Sequence, residues 1–336
     1  MSQSQPCNEC NEAPSLTPAE TRRGFLAKTA GALAAFGSFA PSVFGFGEKK
    51  DSAESYAGEL FQSLNTDLQK AICFPVDHPL RKRVSANWEI TKPKIESFTP
   101  KQIELVERVV KGLASPEGFD KFKKQMEEDA GGMDQYHIAF FGKPNEKSFE
   151  FVMTGRHVTM RADGNSGSGP AFGGPMVYGH QSETDPEMPA HPGNVFWYQA
   201  LRANEVYKAL DSKQRQKALC KVAPKEDSVQ HRKDGYPGIC VGEMSPDQRK
   251  LVKQVMSDLL SPYRKEDADE VLEILTKNGG LEKTHLSFFQ MDDTGKKSAD
   301  LGNDGVWDIW RLEGPGFVWH FRGAPHVHVW VNIARV

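Results

Sequence analysis

Three histidines, His320, His326 and His328, fall within nine residues near the end of this chain, in the run FVWHFRGAPHVHVWVNIARV from 317 to 336. The run alternates like a β-strand, whose side chains point in turn to opposite faces. His326, His328, Trp330 and Asn332 therefore share one face, and Val327, Val329, Val331 and Ile333 the other. The valine face suits a buried core. An imidazole pair at i and i+2 is well shaped to hold a metal ion; the plainer alternative is two buried, hydrogen-bonded histidines.

A second group lies upstream in GRHVTMR, 155 to 161, where His157, Thr159 and Arg161 would share one strand face and Val158 and Met160 the other. His180 follows in YGHQSE, 178 to 183, read as a loop, and His191 in AHPGN, where Asn194 is placed to cap a helix. Three or four imidazoles converging on one ion would suit copper, zinc or ferrous iron. A structural zinc site uses closely spaced cysteines, which this region lacks, so a histidine site with an open position reads as catalytic. His157, His326 and His328 form the core set, with His180 and His320 next. Glu183 and Glu313 are candidate fourth ligands or general bases, or else surface carboxylates. Arg161 and Arg322 could each grip a substrate carboxylate through two N–H groups, or simply form salt bridges. No nucleophile elbow, HExxH helix or strand-borne GxGxxG is present.

The elements that must position these residues follow from periodicity. Helical spacing runs over 50 to 72, from Thr99-Pro100 onward, and over 116 to 128, 194 to 219, 246 to 260 and 266 to 276. Strand patterns occupy 136 to 141, 148 to 153, 157 to 161, 285 to 291, 306 to 312, 316 to 321 and 326 to 333. The strands thus cluster twice, at about 135–178 and 284–334, and predict an α+β fold with both clusters in one antiparallel sheet covered by helices. In that sheet His157 and the His326/His328 pair would face each other on neighbouring strands. A Gly-rich stretch, 163 to 174, lacks the Lys-Ser/Thr of a phosphate loop. No heptad run or long repeat is evident.

The chain has 336 residues, net charge -3 and 26% charged residues, an ordinary globular surface without the basic stripe of a nucleic-acid binder. Its first 46 residues read as a targeting segment: TRRGFLAK, 21 to 28, has the twin-arginine form and precedes a soft apolar run. Export to the periplasm by the twin-arginine machinery is expected, with membrane contact only if the signal stays uncleaved. Residues 50–336 would then form a single domain. The Cys7–Cys10 pair lies in the signal. Of Cys73, Cys220 and Cys240, the last two bracket a polar loop, and an oxidising compartment would permit a disulfide there.

Two runs, YHIAFFGKPNEKSFEFVMTGRHVTMRADG and EGPGFVWHFRGAPHVHVWVNI, resemble the middle and the end of the DUF3500 domain family over about residues 55 to 336. The family pattern has a strand ending in a G-x-P turn, a strand leading into GHH, and a closing GP strand followed by an HxH strand. Arg156 replaces the first histidine of GHH, and His320 stands where a glutamate is expected. The resemblance implies the domain extent and the matched histidines His157, His326 and His328, and no reaction. The readings are an exported metal-dependent oxidoreductase, with copper or iron slightly favoured over zinc and an unknown small-molecule substrate; a hydrolase using metal-bound water; or a non-catalytic periplasmic protein that binds a small ligand.

Overall fold

The computed structural model describes residues 51–144, 146, 148–163, 170–182, 193–296 and 305–336. The twin-arginine segment with Cys7 and Cys10, most of the Gly-rich stretch, Glu183 and His191 lie outside the described residues.

Helices and strands alternate in two rounds. The first is α1 (Ala53–Ser63), α2 (Thr66–Ile72), β1 (Cys73–Phe74), α3 (Pro100–Leu113), α4 (Pro116–Ala130), β2 (His137–Gly142), β3 (Phe149–Gly155), β4 (Val158–Ala162) and β5 (Met176–His180). The second is α5 (Tyr198–Ala209), α6 (Ser212–Ala218), β6 (Leu219–Val222), β7 (Ile239–Cys240), α7 (Pro246–Leu260), α8 (Lys265–Lys277), β8 (His285–Met291), β9 (Ile309–Gly314), β10 (Phe317–Arg322) and β11 (Val327–Ile333). The strands form one sheet in the order β1-β2-β3-β4-β5-β11-β10-β9-β8-β6, with β7 also on β8. Both predicted strand clusters therefore join in one mainly antiparallel sheet, and the α+β class holds.

The expectation of no repeat does not hold. Each half is a four-stranded antiparallel meander with a short parallel strand outside it, β1 beside β2 and β6 beside β8. Once the structure supplies the register, the sequences also align. TPKQIELVERVVKGLASP at 99–116 matches SPDQRKLVKQVMSDLLSP at 245–262, HIAFF at 137–141 matches HLSFF at 285–289, and QKAIC at 69–73 matches QKALC at 216–220. The halves share few identities beyond these core and capping positions, so the repeat escapes inspection.

The same bonds recur in both halves. Thr99 and Gln102 form a capping box on α3, and Ser245 and Gln248 form one on α7. Each glutamine also donates to the last residue of an earlier helix, Gln102 to the Ser63 carbonyl at 3.0 Å and Gln248 to the Ala209 carbonyl at 2.8 Å. Helix breaks after Ser63 and Ala209 divide two stretches whose apolar spacing reads as continuous. Asn65 and Asp211 cap the helices that follow.

One face of the sheet carries Phe140, Phe151, Met160, Tyr178, Phe288, Trp319, Val329 and Val331, packed on the helices. The other is covered by two irregular connections, residues 75–99 and 223–238. Trp88 and Ile90 of the first pack on Ala139, Phe141 and Val152, and Val229 of the second packs on Val318 and Trp330. A buried arginine holds each connection to the sheet. Arg161 donates to the Arg81 and Arg83 carbonyls, both at 2.8 Å, and Arg311 to the Ser228 and Lys225 carbonyls at 2.9 and 3.1 Å.

The Cys220–Cys240 disulfide is not formed. Both cysteines lie along the same edge of β8, opposite Phe289 and His285, and both are thiols. Four residues of strand separate their partners, about 13 Å, well beyond a disulfide's reach. The Cys240 thiol donates instead to the Glu282 carbonyl at 3.3 Å.

Gln248→Ala removes both the cap and the bridge to α5, and is expected to lower stability by about 2 kcal/mol. Lys253→Ala, on the exposed side of α7, should stay within about 0.5 kcal/mol of the parent. Urea denaturation measures both, and equal midpoints for the two variants would contradict the role given to Gln248.

Candidate metal centre

His157, His326 and His328 meet at the end of the sheet. Their ring centroids stand 4.7, 4.8 and 4.9 Å apart, almost an equilateral triangle. One donor nitrogen from each lies within 4.8 Å of the others, and the Nε2 atoms of His326 and His328 are 3.2 Å apart. Metal–imidazole bonds are about 2.0–2.1 Å, so donors 3.2 Å apart subtend about 100–105° at a shared ion, close to tetrahedral. A tetrahedral set at those bond lengths has its donors about 3.3–3.4 Å apart, so pairs now within 4.8 Å would close by up to about 1.4 Å on binding an ion.

The strands that deliver these rings are not neighbours, as the sequence had suggested, because β5 lies between β4 and β11. The contact exists because of the residue at that level of β5. His328 pairs with Gly179, and the absent side chain lets His157 reach across. A Cβ on Gly179 would lie 3.2 Å from Cδ2 of His328 and 2.3 Å from the Val327 carbonyl oxygen.

His157 does not sit on a strand face with Thr159 and Arg161. It is the second residue of the two-residue β3–β4 turn and has φ 57°. Left-handed backbone costs a non-glycine residue about 1–2 kcal/mol. The equivalent turn of the second half, between β9 and β10, is Pro315-Gly316, with glycine at φ 72°. Pro-Gly is the low-strain choice for such a turn. The chain therefore carries a histidine where its own second copy uses the unstrained residue.

Carboxylates fix the other side of two rings. Nδ1–H of His157 donates to the fully buried Asp129 at 2.7 Å, and Nδ1–H of His328 donates to Glu226 at 3.0 Å. A carboxylate on Nδ1 sets the tautomer and leaves Nε2 with its lone pair, the second-sphere arrangement of metal-ligating histidines. The assignment rests on these hydrogen bonds. Asp129 also accepts from the Gln181 backbone N–H at 3.0 Å, which anchors it to the end of β5. His326 Nδ1 is buried and has no hydrogen-bond partner among the described residues. Burial first, then the facing His328 and His157 rings and Arg322, pushes His326 down to about 2. Burial, then Arg322, His157 and Arg156, holds His328 well below the usual imidazole range. Both rings are neutral near pH 7, so no proton competes with an ion for them.

The remaining candidates are distributed differently. His180 lies on strand β5, not in a loop, and on the helix-facing side with Tyr178 and Val327, away from His328. Both its nitrogens are engaged: Nε2–H donates to Glu128 at 2.6 Å, and Nδ1 accepts from the Val195 backbone at 3.1 Å. Asn194 caps the turn before α5 rather than the helix, accepting from the Phe196 N–H at 2.9 Å and donating to the His180 carbonyl. His320 shares the face of His328 but accepts at Nδ1 from Arg311 at 3.1 Å. Arg322 lies opposite His328 on β10, 3.3 Å from Glu226, and so stands beside the centre. Arg161 is committed to Glu150 at 2.6 Å and to three backbone carbonyls, a structural duty. Glu313 pairs with Val318, four residues along β10 from Arg322, or about 13 Å, and is bound by Arg311 and Arg232. That separation removes it from the centre. Sequence reasoning missed Asp129 and Glu226, which lie in no motif; Asp129 just before the Ala130-Gly131-Gly132 helix stop was the one weak signal.

A family model described as a protein of unknown function, DUF3500, matches residues 47–304. The chain belongs to the DUF3500 family. The match includes His157 and Asp129 and ends before the strand that carries His326 and His328. No curated protein and no solved structure matches the chain.

Gly179→Ala is expected to lower stability by about 1–3 kcal/mol by overpacking and to displace the His328 ring from Glu226. Long-range ¹H–¹⁵N spectra of the imidazoles would then lose the Nδ1–H pattern at His328. Unchanged spectra with unchanged stability would contradict the packing described.

Proposed function

We propose that His157, His326 and His328 bind one first-row transition-metal ion with an open coordination position, and that this DUF3500 protein is a metal-dependent oxidoreductase. The observation that carries the reading is the pairing of three converging imidazoles with carboxylates, Asp129 buried and Glu226 half-buried, on the far nitrogens of two of them. A pair of merely buried histidines would not need an imidazole in a left-handed turn.

The donor set is all nitrogen. For such sites divalent affinity peaks at copper, and iron sites of this kind commonly include a carboxylate ligand. Copper is therefore placed ahead of iron, with zinc as the runner-up. When bound, the ion would supply a site for a small oxidant or for water. The protein's own part is defined by its residues. Asp129 and Glu226 keep the protons on Nδ1, the valine face of β11 excludes water from below, and Arg322 places a fixed positive charge beside the centre. Zinc at the same ligands would favour the hydrolase reading. Export by the twin-arginine route, supported by Arg22-Arg23 and the soft apolar run after them, is part of the proposal and accounts for delivery of a folded, metal-loaded protein.

Metal analysis of natively produced protein tests the reading. About one equivalent of copper or iron with an electron paramagnetic resonance or visible signal is expected, lost in His326→Ala/His328→Ala and bound about 10–100-fold more weakly in Glu226→Gln. A silent, chelator-removable zinc would transfer the proposal to the hydrolase. No metal after reconstitution would overturn both. Cell fractionation of the Arg22→Lys/Arg23→Lys variant should find it retained in the cytoplasm, and unimpaired export would contradict the signal reading.

A further inference from the structure

Two buried side chains stand behind His157: Tyr136, just before β2, and Gln125, on α4, both 0% exposed. The Tyr136 hydroxyl donates to the Arg156 carbonyl at 2.8 Å. Gln125 Nε2 stands 3.1 Å from the same carbonyl and 3.1 Å from the Tyr136 oxygen. Across the same peptide bond, the His157 N–H donates to the Ala86 carbonyl at 2.6 Å. The peptide that joins Arg156 to His157 is thus tied at both its polar groups. The tie falls where the chain needs it, because His157 has φ 57° and left-handed backbone is unfavourable for a residue with a Cβ.

The same amide reaches the partner of the imidazole. Gln125 Nε2 donates to Asp129 Oδ2 at 2.7 Å, and that oxygen also accepts Nδ1–H of His157 at 2.7 Å. The amide has two hydrogens for three acceptors, so the short bond to Asp129 takes one and the Tyr136 and Arg156 oxygens share the other. Its neighbours fix its orientation: turned over, Oε1 would face a carboxylate and a carbonyl. Gln125 Oε1 is left buried with no hydrogen-bond partner among the described residues, a cost that an apolar side chain at this position would avoid.

The second half has neither group at these places. Ile274 stands four residues before Asn278, as Gln125 does before Asp129, and is buried. Thr284 precedes HLSFF as Tyr136 precedes HIAFF, and its hydroxyl donates to the Gly280 carbonyl at 3.0 Å. Gly155 makes room for the phenol, since a Cβ there would lie 2.2 Å from the Tyr136 ring. We propose that Gln125 and Tyr136 are positioning residues of the triad. The phenol and the amide hold the Arg156–His157 peptide, and the amide holds the Asp129 carboxylate, so that His157 presents Nε2 before any ion arrives. The effect on ion binding rests on the metal reading above; the effect on the His157 ring does not.

Imidazole ¹H–¹⁵N spectra of the metal-free full chain, followed by calorimetric titration with zinc(II), read the two effects separately. Zinc(II) is diamagnetic and suits the same ligands. In Gln125→Leu the Nδ1–H pattern of His157 should give way to a mixture of tautomers, and zinc affinity should fall about tenfold or more. Tyr136→Phe removes one oxygen and leaves the Arg156 carbonyl its contact with Gln125, so it keeps the fold if Gln125→Leu does not. It should shift and broaden the His157 resonances and weaken zinc about threefold or more. Gln248→Ala, destabilised on α7, is the control for stability alone and should keep the parent's spectra and affinity. Parent-like His157 spectra in either variant overturn the proposal, as do zinc affinities undiminished in both, or equal changes in Gln248→Ala. Altered His157 spectra in a chain whose parent takes up no zinc would uphold the positioning and refute the metal site. Zinc uptake by the parent, with parent-like spectra and affinity in both variants, would do the reverse.

Discussion

The antiparallel pairing of β5 with β11 is the constraint on which the rest of this structure depends. It fuses two meanders into one sheet, with Tyr178 opposite Val329 and Gly179 opposite His328. A slip of one residue would exchange the faces of β11, turning Val327, Val329 and Val331 away from the helices and burying His328 against them. The hydrophobic fit of that valine row on the helical core fixes the register. In doing so it sets His328 level with a glycine and within reach of His157. The histidine cluster is in this sense a by-product of core packing, completed by two carboxylates from outside the sheet.

The two halves show what the cluster requires, because only one half has it. At the first end Asp129 accepts from the Gln181 N–H and binds His157. At the corresponding end of the second half, Asn278 accepts from the Val336 N–H at 3.4 Å and donates to the Pro315 and Ala334 carbonyls at 2.9 and 2.8 Å. A Cβ on Gly316 would meet Ala334 and Asn278 within 2.6 Å. The second end is therefore closed by an amide that bonds backbone groups of Pro315, Ala334 and Val336, over a turn of the least strained composition. The first end uses a carboxylate, an imidazole in a strained turn and an open glycine strand. The same architecture supports one end closed by backbone contacts and one where three imidazoles converge, and the difference lies in a few side chains.

Much of the fold was legible because period-2 and period-3.6 patterns are strong where cores are large. The valine and histidine faces of 326–333, the Thr99-Pro100 helix start and the joining of two strand clusters all follow from them. The triad was legible as three residue types but not as a place. His157 was assigned to a strand face because GRHVTMR alternates, and nothing in the run marks Arg156-His157 as a turn. His180 looked like a ligand and serves as a buried bridge to Glu128, a role set by which face Tyr178 takes. Glu313 and Arg161 carry the right chemistry at the wrong level of the sheet, which only strand register determines. Glu226 contacts His328 across a separation of 102 residues, and no local pattern encodes such a contact.

The central claim is that three imidazoles, two of them oriented by carboxylates, share one ion. X-ray absorption at the metal edge of the reconstituted protein tests it most directly. The structure predicts a nearest shell of nitrogen or oxygen at about 2.0–2.1 Å, with the outer-shell scattering of three imidazole rings and no sulfur. Two imidazoles or fewer, or a sulfur neighbour, would contradict it.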